Sequence, residues 1–512
     1  MNNPGWLDTL TLTETMKMAE KVSALPENEN TSLSNIWDLR SWLASVEQLG
    51  ELKHVSGAHW DLELGGISEI NNRQRGPCLL FDDIVDYPSG YRVVTGTTGS
   101  PVRLAATLGF PSYPSSAELV EALRGKPQQW EALSVEFPPQ YVEDGPVLEN
   151  VIAGKEINLL DFPVPKWHEK DGGRYIGTGS VVVTKDLDSE WINLGAYRMM
   201  VHDERTCALN MVAGKHGRQQ IDRYFSAGKP FPVVVSLGHH PLLFLFAGLE
   251  VKYGLSEYNY VGGILGEPVQ VIKGEVTGLP MPAASELVLE GWCQPGNFKM
   301  EGPLGEFHGY YSSSEKGAPV LEVERVYHRN NPILLGTPPA RPPHDYSYSK
   351  AVMRSALLHE ALEKAGVPGV VGCWADEVGG SRMLLVVSIK QGYQGHARQA
   401  GLVASQCHVG AYLGRYVIVV DDDIDPSDLQ NVMWAVVTRS DPARDIEIIT
   451  RAWGSTGDPQ NVTFDQKVPY NTRAIIDACR AYEYLDVFPP VAEISPQFQE
   501  ELKKKWRDLL GS

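Results

Sequence analysis

The chain reads as a multidomain α+β and α/β protein: two α/β units flank a β-rich middle. Three observations predict this. Helical periodicity and strand runs alternate up to about residue 125; short apolar runs punctuated by Gly and Pro crowd residues 126–340; alternation returns from 341 to 512. A length of 512 residues is enough for two or three cores of ordinary size.

Residues 1–35 read as an N-terminal extension. An amphipathic piece from Leu10 to Leu25 precedes the polar run Pro26-Glu27-Asn28-Glu29-Asn30-Thr31, which has a linker's composition. In the first α/β unit (36–125), Asp38 is placed to cap a helix that ends at Leu49-Gly50. The runs Cys78–Phe81 and Tyr91–Val94 read as strands, Ser115 with Glu118 as a capping box, and Gly125 as the C′ residue of the helix between them. In the middle region, Gly179–Val183, Pro232–Val235 and Pro268–Ile272 are strands whose spacing fits a barrel or sandwich better than βαβ units.

The last unit begins with a helix over about Lys350–Lys364, stopped by Gly366. The strand Met383–Val387 leads to a helix near His396–Tyr412, and the strand Tyr416–Val420 feeds Asp421-Asp422-Asp423 before a helix from Pro426. Ser495 and Pro496 open a final helix with Phe498, Leu502, Trp506 and Leu509 on one face, to pack on the chain itself or across an interface.

A hydrophobic content of 43% and a charged content of 21% are those of a soluble globular protein, and a net charge of -19 disfavours nucleic acid or an anionic membrane as main partner. The six cysteines form no C-x-x-C pair, so free thiols in a reducing compartment are expected. No run approaches 18 apolar residues, and the start lacks a charged segment followed by an apolar core; a cytoplasmic location is expected.

The motifs G-x-G-x-x-G, G-x-x-x-x-G-K-[ST], H-E-x-x-H and G-x-S-x-G are absent, which disfavours a Rossmann dehydrogenase, a P-loop NTPase and an α/β-hydrolase. The acidic run Asp421–Asp425 has the look of a magnesium clamp, but helix capping explains it more simply. The segment Glu301-Gly302-Pro303-Leu304-Gly305-Glu306-Phe307-His308-Gly309-Tyr310-Tyr311 is more informative. Five residues separate its two acids, an interval that puts them on one face of neither a helix nor a flat strand. Its Gly and Pro residues predict an irregular loop, and Leu304, Phe307, Tyr310 and Tyr311 predict that this loop is buried. Two buried acids would divide general-acid and electrostatic roles; the plainer alternative is a solvated turn.

Asn193 and Arg198 stand out in the apolar run Trp191–Val201. On one strand they face opposite sides unless a bulge at Gly195 resets the parity. With His216 and Glu257 downstream, an Asn carbonyl, an imidazole and a carboxylate would suit Mn²⁺ or Mg²⁺ holding a phosphate, although spacing alone does not bring them together.

Four segments in order carry a resemblance to a known family: Asp171–Ile176 with Asn193–Asp203, Glu257–Gly263, Glu301–Tyr310, and Gly395–Gln399 with Val420–Asp445. Over residues 36–490 the chain resembles the UbiD family of prenylated-FMN-dependent decarboxylases. The resemblance implies an N-terminal α/β domain, a central split β-barrel flavin-binding domain and a C-terminal α/β oligomerisation domain. It implies Arg198, Glu301 and Glu306 as the catalytic network, with Glu306 the proton donor. It further implies Asn193, His216 and Glu257 as ligands of a divalent metal (Mn²⁺, or Mg²⁺) beside K⁺, and Asn193, Ala196, Arg198, Lys215, His216 and Glu257 around the cofactor.

The expected reaction is reversible, non-oxidative decarboxylation of an aromatic, heteroaromatic or α,β-unsaturated carboxylic acid, in a homo-oligomer supplied by a flavin prenyltransferase. Where some relatives carry a cofactor-contacting lysine, this chain reads Cys407-His408-Val409-Gly410, with His408 the candidate substitute. A non-catalytic scaffold subunit and an ordinary FMN flavoprotein remain the rival readings.

Overall fold

The computed structural model describes residues 37–510 except 112, 114, 213, 250, 455–457 and 463–469. The extension expected over 1–35 lies outside the described residues. The chain divides after Trp37, and Asp38–Ser512 forms one compact unit.

The first helix, Leu39–Gln48, starts as expected: the Asp38 carboxylate accepts the Ser41 N–H at 2.7 Å, and Leu39, Trp42, Leu43 and Val46 turn inward. A four-stranded sheet follows, in the order Leu52–Ser56, Cys78–Asp82, Arg92–Thr95, Ile333–Leu335. Its last strand arrives from far along the chain and pairs in parallel with Arg92–Val94, so residues from the end of the middle region complete the N-terminal sheet. The capping box at Ser115 and Glu118 is present. Gly125 does a different job from the one expected: at φ 72 it is the N-cap of the next helix, Lys126–Leu133.

The middle region builds a nine-stranded antiparallel sheet. Its strands are β1 (Asn150–Ala153), β2 (Tyr175–Gly177), β3 (Val181–Lys185), β4 (Ile192–Gly195), β5 (Met199–Val201), β6 (Thr206–Leu209), β7 (Phe231–Leu237), β8 (Leu287–Gly305) and β9 (Tyr311–His328). The hydrogen-bonded path is β2-β5-β6-β9-β8-β7-β3-β4, with β1 on the flank of β9. Along that path β4 and β5 lie six strands apart, about 29 Å in a flat sheet at about 4.8 Å per strand. Yet only residues 196–198 join them, a link of at most roughly 15 Å at about 3.8 Å per residue. The sheet therefore curls until its ends approach, which makes residues 196–198 a bridge across the gap. The expected single strand through Trp191–Val201 is corrected: it is two strands from opposite ends of the sheet. β7 is buried along its whole length, which is why its sequence is apolar on both faces.

The C-terminal part is a mixed five-stranded sheet in the order Val370–Ala375, Leu384–Ile389, Tyr416–Asp421, Tyr470–Ala478, Ile446–Trp453. The helix expected over His396–Tyr412 breaks at Cys407, whose backbone is extended, into His396–Gln406 and His408–Ala411. The helix expected from Pro426 begins at Leu429, capped by Asp428. The acidic run is neutralised by arginine: Arg439 bonds Asp421 at 3.1 Å and Asp423 at 2.7 Å, and Arg480 bonds Asp421 at 3.0 Å. In the final helix, Pro496–Lys505, Ser495 caps as expected, while Phe498 and Trp506 are exposed. Among the described residues no helix is long and apolar enough to cross a membrane.

Candidate active site

Arg198 ends the bridge between β4 and β5, and its guanidinium is surrounded by carboxylates. Nε donates to Glu301 Oε1 at 2.8 Å and Nη2 to Glu301 Oε2 at 2.9 Å, a bidentate pair; Nη1 donates to Glu306 Oε1 at 2.8 Å. The Glu301 side chain is 0% exposed, and two more donors complete its shell: Tyr175 OH to Oε1 and Asn210 Nδ2 to Oε2, both at 2.9 Å. A carboxylate so buried is stable only when its lone pairs are used in this way. Glu306 is 29% exposed and also accepts from Ser312 Oγ at 2.7 Å. Burial acts to lower the Arg198 pKa, but Glu306 and Glu301 outweigh it and hold the guanidinium charged above its usual range. Burial and then Glu301 push the Tyr175 phenol upward.

The expected irregular loop over 301–311 is corrected. Glu301 lies inside β8, and only residues 306–310 form a turn before β9. What brings both acids to Arg198 is a bulge. Glu301 pairs with Ser314 and Leu304 with Ser312, so three steps on β8 oppose two on β9, and the extra residue at Gly302-Pro303 resets the facing. Gly172 makes room: its N–H donates to Pro303 O at 2.8 Å, and a Cβ there would lie 1.9 Å from the Gly302 oxygen. Leu304 is buried as expected, but Tyr310 and Tyr311, at 65% and 39% exposure, do not wall the site.

The second set of expected residues gathers around β4. Asn193 is buried on this strand, with its amide against Thr184 Oγ1 at 3.3 Å. His216 begins helix α1 (His216–Ser226), just after Lys215 at its N-cap. The helix α2 (Pro241–Ala247) ends against the bridge, where the Ala196 N–H donates to Ala247 O at 3.0 Å. Glu257 begins helix α3 (Glu257–Leu265) and accepts the Leu194 N–H at 2.6 Å. Helices α1 and α3 both pack on β4, so Asn193, His216 and Glu257 come from three elements that meet there. Burial pushes the Glu257 carboxyl up to about 8, against the pull of backbone N–H groups. The neighbouring Ser256 hydroxyl is buried without a hydrogen-bond partner. A buried carboxyl and an unpaired hydroxyl are oxygen donors of the kind a divalent cation takes, and the two helix N-termini present the positive dipole ends that suit a phosphate.

Sequence reasoning missed Tyr175, Asn210, Ser312 and Tyr346. Asn210 had no local signal, because its position opposite Arg198 comes from the β5–β6 pairing: the Asn210 N–H donates to Arg198 O at 3.0 Å. Tyr346 lies within electrostatic range of Glu306 and Arg198, and its ring meets His344 at 4.3 Å. The Pro-rich stretch Thr337–His344 runs along the acid turn, with Pro339 against Gly305 and Arg341 against Gly309. His408 is exposed at the start of its short helix. A separate cavity of about 680 Å³, lined by Lys185, Asp186, Glu190, Tyr224 and Trp292 among others, contains none of the residues of either cluster.

Three family models match the chain in order. They are the N-terminal domain of 3-octaprenyl-4-hydroxybenzoate carboxy-lyase over residues 43–123, its Rift-related domain over 140–342, and its C-terminal domain over 347–478. The chain is 32% identical over 430 residues to pyrrole-2-carboxylic acid decarboxylase of Pseudomonas aeruginosa, which covers 80% of this chain and 84% of that protein. It is 32% identical over 493 residues to phenolic acid decarboxylase of Sedimentibacter hydroxybenzoicus, covering 92% and 98%. Among solved structures, the vanillic acid decarboxylase of S. hydroxybenzoicus in open form superposes with a TM-score of 0.78 at 30% identity, covering 92% of this chain and 98% of that one. The UbiD-class enzyme HmfF from Pelotomaculum thermopropionicum, in complex with FMN, superposes with a TM-score of 0.78 at 28% identity, covering 90% and 98%. An evolved dimeric form of HmfF in complex with prFMN gives 0.76 at 26%, with the same coverage. With all three domain models matched in order, and relatives above 30% identity along most of its length, the chain belongs to the UbiD family of carboxy-lyases.

Proposed function

We propose that this chain catalyses the reversible, non-oxidative decarboxylation of an aromatic, heteroaromatic or α,β-unsaturated carboxylic acid with prenylated FMN as its cofactor. The observation that carries the reading is one guanidinium, Arg198, held between the buried Glu301 and the partly open Glu306. The named activities of the Pseudomonas and Sedimentibacter relatives support the substrate class, and the two HmfF complexes support the flavin.

Loss of CO₂ leaves an electron pair on carbon that no side chain can accept, and a bound prenylated flavin supplies that sink. The chain's own residues orient the acid and move the proton. Glu301 holds Arg198 in place through two parallel hydrogen bonds, leaving the guanidinium charged to orient an anionic group. Glu306, the most exposed member of the trio, delivers the proton to the carbon that CO₂ leaves and recovers it in the reverse direction. The Ser312 hydroxyl fixes Glu306 Oε1. Asn193, His216 and Glu257 would hold Mn²⁺ or Mg²⁺, with K⁺ as companion, against the cofactor phosphate; Ala196 and Lys215 complete the cradle, and His408 stands in for the family lysine.

In this reading residues 36–125 form the N-terminal domain, 126–340 a split barrel that binds the flavin, and 341–512 an oligomerisation domain of a cytoplasmic homo-oligomer. A flavin prenyltransferase supplies the cofactor. The test is to incubate cofactor-loaded protein in D₂O with a panel of pyrrole, benzoic and cinnamic acids. CO₂ release and deuterium at the former carboxyl carbon are expected; silence across the panel with verified cofactor would overturn the reading.

A further inference from the structure

Glu306 opens a tight turn: its N–H donates to Tyr310 O at 2.9 Å, and the Gly309 N–H donates back to Glu306 O at 2.8 Å. A turn that hangs from the end of a long hairpin needs outside contacts to stay in one place, and three converge on this one. The Phe307 carbonyl accepts from His344 Nε2 at 3.3 Å. The Phe307 ring and carbonyl press on Gly380, where a Cβ would come within 2.6 Å of the ring and 2.9 Å of the oxygen. Gly309 lies against the Arg341 backbone, with a hypothetical Cβ 2.6 Å from Arg341 Cα.

Of the three, only His344 is both polar and directional. A carbonyl oxygen can only accept, so the imidazole carries its proton on Nε2, and Nδ1 is left buried without a partner. Burial drives the His344 pKa down to about 3, so the ring stays neutral and keeps this single donor. Further contacts place it. The His344 N–H donates to Ser347 Oγ at 3.0 Å, and that hydroxyl lies 2.5 Å from Glu377 Oε1. Glu377 is in turn bound by Arg75, and the Tyr346 ring stands edge-on to the imidazole at 4.3 Å. A chain of one ion pair and successive polar contacts thus runs from Arg75, through Glu377, Ser347 and His344, to the carbonyl of the residue next to the acid.

We propose that His344 is a positioning residue for the acid, setting the turn that carries Glu306 through its Nε2–H bond to the Phe307 carbonyl. This rests on the reading of Glu306 as proton donor. The consequence is specific to one ring nitrogen. A glutamine reaches with its amide N–H to where Nε2 sits, whereas an asparagine reaches only to the Nδ1 position.

The experiment compares H344Q and H344N in the cofactor-loaded full chain. H344Q should keep kcat within about threefold of wild type. H344N should lose about 10- to 100-fold in kcat, with KM within about threefold, because the substrate still binds but the acid wanders. In parallel, hydrogen–deuterium exchange of the peptides spanning residues 304–312 should be about tenfold faster in H344N, unchanged in H344Q, and elsewhere like wild type. Equal behaviour of the two variants, a kcat loss matched by an equal rise in KM, or unchanged exchange at 304–312 in H344N would overturn the proposal. The exchange arm needs no substrate, so it decides the role of His344 even if wild type turns over no acid in the panel, an outcome that would count against the decarboxylase reading alone.

Discussion

At the scale of single residues, charge placement decides which acid holds and which acid gives a proton. Glu301 and Glu306 are the same amino acid on the same guanidinium, yet four donors enclose the first while the second keeps an open side. Glu306→Gln keeps the shape and removes the transferable proton, so turnover should fall by at least about 10²-fold. Bound flavin, read from absorbance after purification, should stay near wild type; near-normal decarboxylation would refute the acid role. Asp345 offers a test of a different kind. It is wholly buried, its Oδ2 accepts the Gly96 N–H at 2.9 Å, and burial pushes its carboxyl up to about 6, against several N–H groups and Arg103. A carboxyl raised in the folded state ionises at a cost that the unfolded chain does not bear. Its destabilising effect is therefore absent below about pH 4, grows between about 4 and 6, and is full above 6, on the order of 3 kcal/mol. Asp345→Asn should raise Tm more at pH 8 than at pH 4.5; an equal shift at both pH values would contradict this.

At the scale of elements, the site depends on where strands break their own rules. The bulge at Gly302-Pro303 and the bridge over 196–198 turn Arg198, Glu301 and Glu306 toward one point, and Gly172 supplies the clearance. Gly172→Ala should lower stability by about 1–3 kcal/mol, read as a lower denaturant midpoint, and lower activity with it, because the added carbon meets the Gly302 carbonyl. Variants of the second cluster should fail in another way. His216→Ala or Glu257→Ala should lose bound metal and bound flavin together, measured by elemental analysis and absorbance, since each ligand also anchors what the metal holds. Full flavin occupancy without metal would show the ligand set to be misassigned.

Much of this was legible beforehand. Capping residues announced the helices at Leu39 and Ser116, and Val-rich runs announced β3 and β7. The five-residue spacing of the two acids signalled that something irregular must bring them together. The form of that irregularity was not legible, because a bulge depends on the register with β9, and register is a property of a pair of strands. For the same reason Asn210 and Ser312 gave no sign in sequence, and Tyr310 and Tyr311 read as buried when they face solvent.

At the scale of the whole molecule, the proposed chemistry draws on every region. Curling of the central sheet brings the bridge between its ends into position, and the segment from Arg341 to Tyr346 lies over the acid turn. Arg75 in the first domain reaches Glu377 in the last. Such an arrangement holds charges and protons in place, but it offers no acceptor for the electrons left by departing CO₂. We therefore propose that Arg198, Glu301 and Glu306 act around a prenylated flavin, which is tested most directly by making the protein in two hosts. Protein from a host that lacks a flavin prenyltransferase should carry unmodified flavin or none, and should release no CO₂ from any acid in the panel. Protein co-expressed with the prenyltransferase should carry the modified flavin, identified by mass, and turn over. Non-oxidative decarboxylation by protein loaded with unmodified FMN alone would contradict the account.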